Sequence, residues 1–242
     1  MMTIDARLAL FSLSLFAVTA CGQSATETAE PAETTQEAEA AAPTETAEAE
    51  AQPELLPAPE GSRAAEQMVI GSADASLTIV EYASVTCGGC ANFHANLFPA
   101  IKEQFIDTGL VRFEYREFPT PPVRLSQAGF IVARCAATAS GPEGYYAVVD
   151  ALYKTQRNWI YSQEPGTELR NLAAQVGIGG SDFDDCFARE DIRDVLVSSI
   201  ESGRDLGVDS TPTLVIDGKI FDYGRTEEEM IERIAAEVEK RS

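Results

Sequence analysis

The sequence predicts an α/β domain in which a strand–helix–strand opening and a hairpin–helix close flank a block of helices. Three observations carry that prediction. An apolar run, Leu77 to Tyr82 (LTIVEY), is followed by the quartet Cys87-Gly88-Gly89-Cys90, which opens a helical pattern. Residues 124 to about 207 carry helical spacing only. The chain then returns to two short strands joined by Asp217-Gly218 and ends on a capped helix.

Two segments precede that domain. Residues 1–20 read as an export signal: Arg7 comes before an apolar run from Leu8 to Ala20, too short to span a bilayer comfortably. Val18-Thr19-Ala20-Cys21 resembles the lipobox of bacterial lipoproteins, which implies cleavage before Cys21 and lipid attachment to it. An ordinary secretory signal with a coincidental cysteine is the alternative. Either reading exports the protein to an oxidising compartment. Residues 21–60 then form a linker of Ala, Glu, Thr and Pro with ten glutamates and no aromatic or basic residue. Such a segment buries too little apolar surface to offset its ordering entropy and is expected to be a disordered tether. As a flexible chain it would span roughly 35 Å, and its like charges extend it further.

Within residues 61–242 each element has its own signature. Leu77–Tyr82 reads as a buried strand, and Cys90 to Phe105 as a helix with Phe93, Leu97 and Ile101 at fourth positions. Val111, Phe113 and Tyr115 alternate with Arg112, Glu114 and Arg116, as in a half-exposed strand. Breaks at Gly141-Pro142, Pro165-Gly166 and Gly177 to Gly180 divide the helical block. Trp159 and Tyr161 are expected to pack inside it. Thr213–Ile216, the Asp217-Gly218 turn and Lys219–Phe221 make a hairpin. The last helix starts at Thr226 with Glu229 as its capping-box partner and is expected to bury Ile231, Ile234 and Val238.

Charge narrows the function. The chain holds 39 acidic and 18 basic residues, a formal charge of −21. Setting aside ten linker glutamates, Asp5 and Arg7 leaves 28 acidic and 17 basic residues, so the domain is acidic in its own right. A nucleic-acid partner is excluded, because binding phosphates requires a basic face. His94 is the single histidine of the sequence, which rules out His-rich metal centres and any triad not built on that one imidazole.

The cysteine pair carries the chemistry. A helix N-terminus presents unpaired amides and a positive dipole end to the first sulfur, Cys87, and so stabilises its thiolate. A stabilised thiolate is a good leaving group, so a disulfide that releases it is readily passed to another protein. Cys87 is therefore expected to be the exposed, attacked sulfur and Cys90 its buried partner one turn on. Half of a zinc site and an inert structural disulfide are the alternatives, but no further ligand pair follows at short spacing. Ser210-Thr211-Pro212-Thr213 stands ahead of a strand. Pro212 is either a simple strand-entry proline or, if its peptide bond is cis, a device that leaves the Thr211 backbone edge open to an extended substrate peptide. Glu81 shares a strand face with Leu77 and Ile79 and is expected to point inward, where a carboxylate can move protons near neutrality; a head group escaping to solvent is the alternative. His94, one turn past Cys90, is expected to be a surface or packing residue.

Taken together, Glu81, CGGCANFHANLFPAIKEQFIDTGLVRFEYREFP ending at Pro119, and the later GVDSTPTLVIDGK ending at Lys219 resemble the DsbA-like thiol:disulfide interchange proteins of the thioredoxin superfamily. The likeness covers nearly everything after residue 66. It implies a thioredoxin-like fold with a helical insertion, a cis Pro212, Cys87 as the reactive thiol and Glu81 as a buried acid that relays a proton to the inner thiol. It departs from the best-known oxidising members in having Gly-Gly, not Pro-His, between the cysteines, which implies a less oxidising couple. Setting Cys21 aside leaves an even set, Cys87 with Cys90 and Cys135 with Cys186. The resemblance joins the latter two, a bridge worth about 4 kcal/mol in the loop-entropy picture; two free buried thiols are the alternative.

The expected function is an envelope thiol:disulfide oxidoreductase, a monomer with no cofactor and no metal, lipid-anchored and facing the periplasm. Gly22 after Cys21 favours the outer membrane by resemblance. It would donate a disulfide to thiol-containing exported proteins, and a membrane or soluble redox partner would recycle it. The alternatives are a disulfide isomerase, a reductase, or a non-enzymatic lipoprotein that holds a peptide or Cu(I).

Overall fold

A computed structural model describes residues 62–241. The predicted signal segment, Cys21 and the linker lie outside those residues. The central sheet runs β1 (Met68–Ile70), β3 (Val111–Glu117), β2 (Leu77–Ala83), β4 (Thr213–Ile216), β5 (Lys219–Phe221) in spatial order. Only β2 and β3 are parallel; the other neighbours are antiparallel. The parallel pair needs a crossover, which the helical segment after the cysteines supplies. That segment is not one helix. α1 covers Gly88–Asn96, α2 covers Phe98–Ile101, and Lys102–Ile106 form a π-helical turn. Pro99 lacks an amide hydrogen, so the ladder breaks at Leu97.

Between β3 and β4 lie α3 (Val123–Ser140), α4 (Pro142–Lys154), α5 (Gln156–Ile160), α6 (Pro165–Gln175), α7 (Ser181–Ala188) and α8 (Glu190–Asp205). Three boundaries fall at the predicted Gly and Pro breaks, while those at Thr155 and Arg189 were not signalled by either residue type. Trp159 is buried as expected and donates from Nε1 to Leu152 O at 3.0 Å, whereas Tyr161 is exposed and not part of the packed interior. The insertion forms the larger apolar cluster around Phe130, Tyr145, Leu152 and Trp159. A second cluster sets Ile79, Phe113, Leu214 and Ile216 of the sheet against Phe93, Ile101, Met230 and Ile234. Cys135 and Cys186 join α3 to α7 as a disulfide with Cα atoms 5.8 Å apart.

Three expectations need correction. The face of β3 expected to be open is only partly so: Arg112 and Arg116 are half-buried and Glu114 is buried. That face is covered by α8, while Glu117 lies on the opposite face with Tyr115, beside α3 and α4; each carboxylate has an arginine. Arg116 Nε donates to Glu114 at 2.8 Å, while Arg134 and the Tyr145 hydroxyl donate to Glu117. In the last helix, α9 (Glu227–Glu239), the inward stripe is Met230, Ile234 and Val238, with Ile231 at the margin. The Thr226 hydroxyl accepts from Glu229 N as a cap should, but Glu229 reaches back to the amide of Arg225, one residue earlier than a capping box has it. The β4–β5 turn places both Asp217 and Gly218 at positive φ, the type I′ geometry that an Asp-Gly pair favours.

Candidate active site

β2 ends at Ala83, and the four residues Ser84 to Cys87 carry the chain into α1. Cys87 is the N-cap, with extended backbone angles, and its sulfur accepts from Cys90 N at 3.3 Å. This is the arrangement by which Ser or Asp caps a helix, with sulfur in place of oxygen. The sulfur also lies 3.2 Å from the carbonyl oxygen of Thr211, to which the neutral thiol donates. The Thr211-Pro212 peptide is cis. The sequence-predicted Cys87, Thr211 and Pro212 thus meet across 124 residues of chain.

The two thiols of this pair are both free and differ in character. The Cys87 thiol is held down to about 5, chiefly by a hydrogen bond from the Cys90 thiol. Partial burial opposes this, and the amides of Cys90 and Gly89 add to it. The Cys90 thiol is pushed far up, first by burial, then by the neighbouring Cys87 sulfur and the charge of Glu81. Cys90 receives one backbone donor, Ser84 N at 3.5 Å.

Glu81 sits on the inward face of β2 and is fully buried. Its Oε2 accepts from His94 Nε2 at 2.8 Å, and its Oε1 has no hydrogen-bond partner among the described residues. His94, predicted to be a packing residue, is therefore the polar partner of the buried acid. Its ring stacks on Tyr153 at 4.7 Å between centroids and also meets Phe98 and Tyr115. His94 also lines a cavity of about 750 Å³ with Phe98, Pro99, Lys102 and Tyr146. Spacing alone would have put His94 on the Cys90 face of the helix, but what lies opposite that face is a matter of β2 register.

Gly88 and Gly89 leave the pair uncrowded. A Cβ at Gly88 would meet nothing within 4 Å, and one at Gly89 would lie 3.5 Å from the Cys87 sulfur, Pro212 Cδ and the Thr211 carbonyl. Among the described residues there is no group of three or more His, Cys, Asp and Glu side chains placed to hold a metal, and no helix is long and apolar enough to cross a membrane.

Comparison with known proteins agrees with this architecture. A provisionally named protein-disulfide oxidoreductase of Rickettsia bellii is 27% identical over 177 residues, covering 72% of this chain and 63% of that protein. The chain spans about half to two thirds of the length of its rickettsial relatives. Disulfide bond formation protein D of Bacillus subtilis is 25% identical over 183 residues, 71% of this chain and 77% of that one. Among solved structures, oxidised BdbD from Bacillus subtilis superposes with a TM-score of 0.63 at 21% identity, covering 72% of this chain and 93% of the other. Wolbachia pipientis α-DsbA1 gives a TM-score of 0.59 at 26% identity, covering 77% and 93%. A thioredoxin family model matches residues 63–236, and the chain belongs to that family.

Proposed function

We propose that the chain is a thiol:disulfide oxidoreductase that donates a disulfide through Cys87 and Cys90. The observation that carries this reading is the asymmetry of the pair: an accessible thiol held down to about 5 and a buried partner held far above the ordinary value. In the oxidised form a substrate thiolate attacks Cys87 Sγ and breaks the Cys87–Cys90 bond, leaving a mixed disulfide. Cys90 departs as a thiolate and, being buried, takes a proton, whose supply we assign to the buried acid Glu81. A second substrate thiolate then attacks the substrate sulfur of the mixed disulfide, and Cys87 leaves as an anion that its surroundings already favour. The substrate loses two electrons and the enzyme pair gains them. A membrane or soluble acceptor must take them back.

The cis-proline loop is where an extended substrate peptide would lie, with Thr211 and Pro212 against the sulfur. The names of the disulfide-handling relatives support the same chemistry. In this reading the substrates are thiol-containing exported proteins, and the enzyme works in the bacterial envelope, tethered through lipid on Cys21. The test is equilibration of the chain in a glutathione series with trapping of Cys87 by alkylation. A poise above about −200 mV supports donation, and one near about −270 mV supports reduction.

A further inference from the structure

The tetrapeptide that delivers Cys87 to the helix is clasped from one side by the helical insertion and the loop leading into it. Ser84 Oγ lies 2.8 Å from Ser126 Oγ of α3 and accepts from Thr120 N at 3.1 Å. Thr86 Oγ1 donates to Thr120 O at 3.0 Å. The Val85 side chain lies where α3 has no Cβ: one at Gly129 would sit 2.9 Å from Val85 Cγ2. The last link comes from α5, where Gln156 Nε2 donates to Val85 O at 2.9 Å and to Cys87 O at 3.0 Å.

Gln156 closes that clasp on the reacting residue itself. Both partners are carbonyl oxygens, so the amide must turn its nitrogen to them, and a primary amide has two hydrogens to give. The Cys87 carbonyl also accepts from Ala91 N at 3.1 Å, the first bond of α1. It is therefore fixed from the helix on one side and from the insertion on the other. A carbonyl held at two points fixes the peptide plane after Cys87 and narrows the sulfur's positions to those near the Cys90 and Gly89 amides.

We infer that Gln156 is a positioning residue: its side-chain amide holds the N-cap backbone so that the Cys87 sulfur stays where the helix amides stabilise its anion. This assigns the insertion a part in tuning the thiol, and it rests on the exchange reading above. Without the amide the Cys87 carbonyl keeps only its helical bond, residue 87 gains backbone freedom, and the sulfur spends part of its time away from its donors.

The test is the rate of alkylation of the reduced whole chain as a function of pH, for wild type and Gln156→Met, which keeps length and loses both donors. A melting curve is recorded for each. The expected result is a wild-type midpoint near 5 and a variant midpoint higher by about one pH unit, a roughly tenfold weaker acid, with the variant still folded. A variant midpoint equal to a low wild-type one overturns the role of Gln156 and leaves the exchange reading standing. A wild-type midpoint at the ordinary thiol value overturns both. Should Gln156→Met fail to fold, Gln156→Glu keeps the shape and turns an acceptor toward both carbonyls; it must raise the midpoint, and an unchanged value again overturns the assignment.

Discussion

His94 Nε2 donates to Glu81 Oε2 at 2.8 Å, joining an imidazole that is 10% exposed to a carboxylate that is fully buried. The second oxygen of Glu81 has no partner among the described residues, so the histidine is what makes this acid tolerable inside the fold. His94→Phe keeps the ring stacked on Tyr153 but strips the carboxylate of its donor. Denaturant titration should show a loss of about 2 kcal/mol. The double variant Glu81→Leu/His94→Phe should recover part of it, because the uncompensated buried group is gone.

Glu81→Gln fits the same space and supplies no ionisable proton. If Glu81 serves Cys90 as proposed, stopped-flow measurement of reduction of the Cys87–Cys90 disulfide by a dithiol should slow by about a hundredfold near neutrality. A rate equal to that of wild type would remove Glu81 from the mechanism.

The reduction potential should follow pH with a break. Cys87 has its folded pKa lowered to about 5, so its anion stabilises the reduced form at neutral pH, and that contribution is lost as pH falls through 5. Cys90 stays protonated throughout, because its thiol is pushed far up. Reduction therefore takes up one proton for two electrons above pH 5 and two below it. The potential should fall by about 30 mV per pH unit in the upper range and about 60 mV in the lower. A single steep slope across neutrality would mean that Cys87 is an ordinary thiol.

Two supports lie away from the sulfurs. Replacing Cys135 and Cys186 with alanine opens a loop of 51 residues and should cost about 4 kcal/mol in denaturant unfolding of the reduced-pair protein. Arg134→Met leaves Glu117 buried against Tyr145 alone and also removes the donors to Ala64 O and Glu66 O; the cost should be about 3 to 5 kcal/mol.

What the sequence made legible was whatever depends on neighbours along the chain. A cysteine quartet between an apolar strand and a helix, Asp-Gly between two β runs, and Thr226 before three glutamates each declare their geometry locally. The inward face of Glu81 followed from strand alternation. What stayed hidden depends on neighbours across the fold. β1 is three residues long and too short to show a period. Glu114 looked solvent-facing because nothing in the strand pattern says that α8 lies over that face. His94 seemed a packing residue because nothing in the helix spacing says that a carboxylate stands opposite. Gln156 carried no signal at all: its partners are backbone carbonyls about 70 positions earlier, identical in every sequence.

The account stands on the acidity of one thiol. Its most direct test is the pH dependence of thiolate ultraviolet absorbance in the reduced chain, read against Cys87→Ser to isolate that sulfur. The prediction is a single transition near 5 that vanishes in the variant. A transition at about 8.5, the value of a free cysteine, would contradict it.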